Sequence, residues 1–226
     1  MDKVVKKLTP VRKETLLRLP EYLLFFRKLH KQGEETVSAV DLCTHFGITA
    51  VQLKKDFSSI GSKCKPDVPL VISDCISAIT DFLDYDNTKD AVLIGAGQLG
   101  RTLMGYSGFA GYGLNIVAAF DVDFNVVGAS ISGRQVLSVE KLKTICERLN
   151  IHIGIITVPA RSAQHVCNLL VKCGVLAIWN FAPVRLEVPD GIIVQNENMA
   201  ASLAVLSNKL SASMYDKQKG KKLIQG

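Results

Sequence analysis

No segment of this chain is both long and apolar throughout. The longest charge-free run, residues 102–120, is interrupted by Gly105, Gly108, Gly111 and Gly113 and by Ser107 and Asn115. It reads as a turn-rich connection, not a membrane span. The first twenty residues scatter Lys3, Lys6, Lys7, Arg12, Lys13 and Arg18 with no apolar core between them, so no secretory signal is expected. The six cysteines (43, 64, 75, 146, 167, 173) form no CxxC pair, and none of the 4 histidines joins them at zinc spacing. No metal site is expected, and the thiols read as small buried side chains in a reducing cytoplasm. At 48% hydrophobic and 21% charged residues the chain is too apolar to be broadly disordered. Its 226 residues suit one large domain, or a small one followed by a medium one.

Acidic side chains are scarce at the amino end. Residues 1–65 hold 13 basic and 7 acidic groups, which accounts for the whole net charge of +6. Residues 66–226 hold 14 of each, with Lys217, Lys219, Lys221 and Lys222 gathered at the end. A cationic head on a near-neutral body favours a phosphate-bearing or otherwise anionic partner for the head alone.

The head reads as helical. Thr9 and Pro10 suit an N-cap and a first helical position, Pro20 is expected to split the run into two helices, and Gly33 ends the second. That second helix carries Leu23, Leu24, Phe26, Leu29 and His30. A third helix starts after Ser38 and stops at Gly47, and Thr49 caps a fourth to about Ser59. Helix, glycine turn, helix is the spacing of a helix-turn-helix. On the last helix Leu53, Phe57 and Ile60 share a core face, Asp56 sits to one side, and Val51, Lys54, Lys55 and Ser58 occupy the opposite face. Two lysines, a hydroxyl and an aliphatic group, free of acids, suit a helix entering a major groove. Lys63, Lys65 and Pro66 follow in a segment placed like a wing. The alternative is a generic helical subdomain with a solvated charged face.

The body opens on Ala91-Val-Leu-Ile94 running into Gly95-Ala96-Gly97-Gln98-Leu99-Gly100. Gly95 permits the tight turn, Gly97 lets a pyrophosphate approach the backbone, and Gly100 lets helix pack on strand. The helix start then offers free amides to phosphates. A second strand, 116–120, ends at Asp121, whose carboxylate can accept ribose hydroxyls and repel a 2′-phosphate, with Asp123 adding to that bias. NAD is thereby favoured over NADP; an empty turn, or a related nucleotide such as coenzyme A, is the alternative. Ser138 caps a helix at about 139–149, residues 151–157 form a strand, Pro159 opens a helix ending near Gly174, and strands follow at 175–179 and 192–194. Such alternation makes a parallel sheet covered on both faces.

Ligands sit beyond the carboxyl ends of parallel strands. The loops there, Thr157-Val158-Pro159-Ala160 and Asn180-Phe181-Ala182-Pro183, can wall a nicotinamide but offer no proton donor or acceptor. Hydride transfer to a carbonyl needs a positioned acid or base. His152, within a strand pattern, and His165, on a helix, read as structural. No catalytic residue is therefore expected, and the cofactor is read, not consumed. Residues 198–208 carry no charge at all, so that terminal helix must be covered nearly all round, by a second protomer or by one large core. A homodimer would also present two recognition helices.

These stretches, together with Arg18-Leu19-Pro20-Glu21-Tyr22, Ala118-Ala119-Phe120-Asp121 and Asn180-Phe181-Ala182-Pro183-Val184, resemble Rex, the bacterial redox-sensing transcriptional repressors, over nearly the whole chain. The resemblance implies an N-terminal winged-helix domain at residues 1–86. It implies a Rossmann-like NAD(H)-binding and dimerisation domain at 87–226, whose terminal helix is exchanged between subunits. It further implies a cytoplasmic homodimer that holds operator DNA when NADH is low and releases it when NADH binds. Tyr106 matches a tyrosine near the nicotinamide, and Arg18 an arginine of interdomain contacts. Asn198 stands where the family generally has an aspartate that takes part in switching. The recognition run Lys54-Lys55-Asp56-Phe57-Ser58-Ser59 has lysine where the family usually has arginine, a point charge in place of a bidentate fork. Pro66 and Pro69 mark a wing of altered shape. An NAD-dependent oxidoreductase, or an NAD(H)-binding relative with altered or lost operator binding, are the competing readings.

Overall fold

The computed structural model describes residues 11–61, 66 and 68–224, and the chain divides into two compact units after Asn87. The first unit contains α1 (Lys13–Lys31), β1 (Thr36–Val37), α2 (Ala39–Phe46), α3 (Ala50–Ile60), β2 (Leu70–Val71) and α4 (Ile72–Leu83). Ser38 and Thr49 cap α2 and α3 through hydrogen bonds accepted from the amides of Asp41 and Gln52, and Gly47 takes the left-handed conformation between the helices. β1 and β2 pair antiparallel, Val37 against Leu70, and close the helix-turn-helix into a winged-helix arrangement.

Pro20 does not divide α1, which runs unbroken through it for 19 residues. An interior proline costs a helix about 3 kcal/mol. Leu19, Tyr22, Leu23 and Phe26, all fully buried on one face spanning the proline, offset that cost at roughly 1.5–3 kcal/mol each. Leu24 and His30 of the same helix are exposed. Thr9 and Pro10 lie outside the described residues; the described helix begins after Arg12, which makes no side-chain cap. α4, not expected from the sequence, packs Ile72, Cys75 and Ile79 into the same core as Leu42, Leu53 and Phe57.

The second unit contains β3 (Lys89–Ile94), α5 (Gln98–Gly105), β4 (Leu114–Asp121), β5 (Ser130–Ile131), β6 (Arg134–Ser138), α6 (Leu142–Leu149), β7 (Ile153–Ile156), α7 (Ala160–Lys172), β8 (Ala177–Asn180), β9 (Ile193–Asn196) and α8 (Met199–Ile224). The strand order is β5-β6-β4-β3-β7-β8-β9, parallel except for the β5–β6 hairpin. Without β5 this is the doubly wound dinucleotide order, with the reversal point between β3 and β7. Alternate residues of β3 face opposite cores. Val92 and Ile94 pack with α6 and α7, while Ala91 and Leu93 pack with Met104 of α5. The charge-free run 102–120 is more than a connection: it ends α5, forms a 3-10 turn at Ser107–Tyr112 and supplies most of β4. His152 is exposed just before β7, not buried within a strand.

Residues 200–215 of α8 are exposed, with Leu203, Leu206 and Leu210 at 61%, 64% and 59%. The reading in which a single-chain core covers this helix is therefore wrong. The helix reaches 26 residues, and none of its described side chains joins the cores on either face of the sheet. Among the described residues no helix is long and apolar enough to cross a membrane.

Candidate functional site

In the second unit the Gly-rich turn leaves β3 at the reversal point of the sheet. Gly95 has φ +104°, a backbone that L side chains rarely adopt, and a Cβ there would fall 2.9 Å from the Thr157 carbonyl carbon. At Gly100 a Cβ would fall 2.0 Å from the Gly95 oxygen, so only glycine lets α5 approach the turn. Gly97 differs: nothing lies within 4 Å of its would-be Cβ. Packing does not require that glycine; open approach from the cleft does. Thr157, after β7, ties the two loops together by donating its hydroxyl to Gly95 O at 2.7 Å.

Asp121 ends β4 beside this turn. Its Oδ2 accepts from the Ala96 amide at 2.7 Å, and its Oδ1 from the amides of Val122 and Asp123 at 2.7 and 3.0 Å. A carboxylate offers about four acceptor positions, so these bonds aim it and leave capacity on Oδ2 for a ribose hydroxyl. A 500 Å³ cleft opens here, lined by Gly95, Gly97, Asp121, Asp123, Thr157 and Pro159 and, from α7, by Arg161 and His165. His165, read as structural, is an exposed wall of this cleft. Gln98 and Leu99 stand exposed in the first turn of α5. Asn180 explains the second apolar loop. Fully buried, its amide donates to Ala182 O, Val184 O and Asn196 Oδ1 and its oxygen accepts from Ala182 N, knotting the loop after β8. No group of three or more metal-ligating side chains occurs among the described residues.

Tyr106 is not brought to this cleft. It lies past the far end of α5, half-exposed, with its ring 4.9 Å from Phe109, which in turn meets Trp179 at 5.6 Å. Trp179 donates its indole N–H to Glu197 at 2.8 Å, and Asn198 caps α8 by accepting from the Ala201 amide at 3.0 Å.

In the first unit Val51, Lys54, Lys55 and Ser58 are all exposed along α3, opposite the buried Leu53 and Phe57. The Ser58 hydroxyl donates to Lys55 O at 2.8 Å, so toward a ligand it acts as an acceptor. Lys63 and Lys65 lie outside the described residues. What the sequence reading missed is the support of this face. Asp56, on the same helix, is fully buried. It accepts from Arg18 Nε and Nη2 at 2.7 and 2.8 Å, from Thr15 at 2.7 Å, from Tyr22 at 2.8 Å and from Gln52 at 3.0 Å. Arg18, for which the resemblance implies interdomain contacts, thus spends its fork inside the first unit. Burial alone would raise the Asp56 pKa, but the four donors together outweigh it and hold the carboxyl below its ordinary value. Tyr22 is shifted upward by burial and by its bond to that carboxylate. The chemistry of α3 is therefore a lysine face on a helix locked to α1 by a buried, charge-assisted network.

Comparisons with known proteins agree with both halves. Residues 86–184 match the family model described as CoA binding domain, and residues 11–58 the one described as putative DNA-binding protein N-terminus. The redox-sensing transcriptional repressor Rex of Porphyromonas gingivalis is 37% identical over 204 residues, covering 90% of this chain and 94% of that protein. That of Bacteroides fragilis is 37% identical over 206 residues, covering 91% and 94%. A crystal structure of RSP with β-NAD+ and operator DNA aligns at TM-score 0.84 and 31% identity, covering 94% of this chain and 98% of that one. RSP with β-NADH aligns at TM-score 0.84 and 31% identity, covering 93% and 99%.

Proposed function

The chain belongs to the Rex family of redox-sensing transcriptional repressors, and from that premise we propose that it holds operator DNA as a homodimer and releases it in response to NADH. The observation that carries the reading is the pairing of two sites in one chain: a locked lysine face on α3, and a glycine cleft at the sheet's reversal point with Asp121 at its rim.

The DNA-binding part is residues 1–86. Lys54 and Lys55 of α3 neutralise phosphates or reach guanine acceptors, Ser58 accepts, Val51 contacts a thymine methyl, and Lys63 and Lys65 add backbone contacts. The cofactor part is residues 87–226. The α5 amides from Gln98 and Leu99 face the pyrophosphate, Gly95, Ala96, Gly97 and Gly100 shape the turn, and Asp121 takes the ribose. Pro159 and the loop after β8 wall the nicotinamide end. Asp121 and Asp123 disfavour a phosphorylated ribose, which argues for NAD(H) over the coenzyme A of the family model's description. Tyr106 is outside this grip in the present conformation, and Asn198 acts as a neutral cap of α8, where an aspartate would carry charge into the switch. The relatives are named repressors, so binding, not turnover, is the output. α8 is covered by its counterpart in a second copy, and the protein works in the cytoplasm.

Titrating the full-length protein with NADH and with NAD+ separately, by nicotinamide fluorescence and calorimetry, tests this. NADH should bind at least about tenfold more tightly, since a ligand shifts an equilibrium only by its differential affinity. Equal affinities would remove the sensor reading.

A further inference from the structure

A second cavity lies at the opposite end of the body's sheet. It holds 280 Å³ and shares no lining residue with the glycine cleft. Asn115 and Arg134 sit at the amino ends of β4 and β6, whereas Asp121 and Gly95 lie at the carboxyl ends. Six strand steps separate Asn115 from Asp121, roughly 20 Å. Leu103, Met104, Phe109, Leu114 and Ile116 make its apolar wall.

Its polar side is built around one cation. Arg134 is partly buried, and among the described residues no carboxylate pairs with it. Its Nη2 donates to Asn115 Oδ1 at 3.1 Å, and Asn115 donates in turn to Asp90 at 2.7 Å. The amide relay fixes the guanidinium while keeping the Asp90 charge one residue away. Nε and Nη1 remain as donors. Ser107, Ser132 and Tyr106 bring three hydroxyls to the same space. Ser132 does so from the left-handed region, at φ +49° beside Gly133 at +78°. The turn between β5 and β6 usually gives that first position to asparagine or glycine, so a serine there bears strain that its hydroxyl placement accounts for.

We propose that this cavity is a second ligand site, separate from the nucleotide cleft, for a small organic carboxylate with a flat or short apolar body. The carboxylate lies on Arg134 and the serine hydroxyls, and the body lies against Phe109, Leu114 and Ile116. The volume equals about nine waters at ~30 Å³ each, which fits an acid of about that many non-hydrogen atoms. A charge-assisted contact to this partly buried guanidinium favours a carboxylate over an uncharged ligand of the same shape.

Trp179, the only tryptophan, reports on the site through Phe109, whose ring is 5.6 Å away. The probe is benzoate, added to full-length protein, with benzamide as its uncharged counterpart. Benzoate should change the tryptophan emission saturably with a midpoint at or below about 1 mM, and benzamide should bind about tenfold more weakly or worse. Arg134→Met should weaken benzoate by about tenfold or more. Ser132→Gly, which relieves the turn while removing a hydroxyl, should weaken it severalfold with unfolding unchanged or slightly improved. Saturating NADH should leave the midpoint in place. No saturation by about 20 mM, equal binding of benzoate and benzamide, or displacement by NADH would overturn the proposal. Should Arg134→Met fail to fold, the Ser132→Gly and benzamide arms decide the matter alone.

Discussion

Replacing Asp56 by asparagine keeps the shape of a fully buried side chain and removes its charge. Thr15, Arg18, Tyr22 and Gln52 all donate to that carboxylate, and an amide can accept at only one of its two positions. Breaking a buried ion pair from one side costs about 3–5 kcal/mol. The Arg18 side chain is 23% exposed and recovers some hydration, so the lower end, about 3 kcal/mol, applies. A unit of this size has about 4–13 kcal/mol in hand, and each kcal/mol moves its midpoint by about 4–8 °C. The first unit of Asp56→Asn should therefore unfold about 12–24 °C lower. Trp179 lies in the second unit, so its emission reports on that unit, while far-UV circular dichroism sees both. The variant should show an early dichroism step with an unmoved tryptophan transition. The pH sign follows from the depressed carboxyl. Its contribution is present above the unfolded aspartate value of about 3.9 and fades as pH falls through the lower folded value. Acid should loosen the wild-type first unit over that window and change Asp56→Asn far less. A loss below about 0.5 kcal/mol, or equal shifts of both transitions, would refute the reasoning.

Gly100→Ala sets a Cβ 2.0 Å from backbone oxygen, so NADH binding, followed by nicotinamide fluorescence, should fall by tens of fold or become undetectable. Asp121→Ala removes the ribose acceptor and should cost NADH about ten- to a hundredfold while narrowing its advantage over NADPH, read by calorimetry. Lys54→Ala with Lys55→Ala should lower operator affinity and reduce the slope of log affinity against log salt by about 2, measured by anisotropy. Leu206→Asp places a charge on the exposed stripe of α8 and should yield monomers in analytical ultracentrifugation. Burial pushes the Cys146 thiol up to about 11, so among the cysteines of the described residues iodoacetamide at neutral pH should alkylate the half-buried Cys43 first.

Local signals were legible in the sequence, and long-range ones were not. Ser38, Gly47 and Thr49 act within one turn of their own helices, so α2 and α3 could be placed from spacing. The glycine turn and Asp121 were legible for the same reason, as a strand, a turn and a helix in sequence order. Pro20 misled because its local cost is outweighed by a core assembled from α3 and α4, far along the chain. Asp56 looked peripheral on a helical wheel because three of its four donors, Thr15, Arg18 and Tyr22, come from 34 to 41 residues away, on α1. The β5–β6 hairpin went unread since each strand is short and its turn begins with a serine. With it went the second cavity, which needs that hairpin beside α5.

In the proposed function one chain couples a reduced dinucleotide to operator release. Its most direct measurement is anisotropy of a labelled operator duplex with the full-length protein at about 0.1 M salt, in saturating NADH and then in saturating NAD+, against a random duplex. Operator affinity should stand above the random background with NAD+ and fall by about tenfold or more with NADH. Operator affinity that is the same in both cofactors would contradict that coupling.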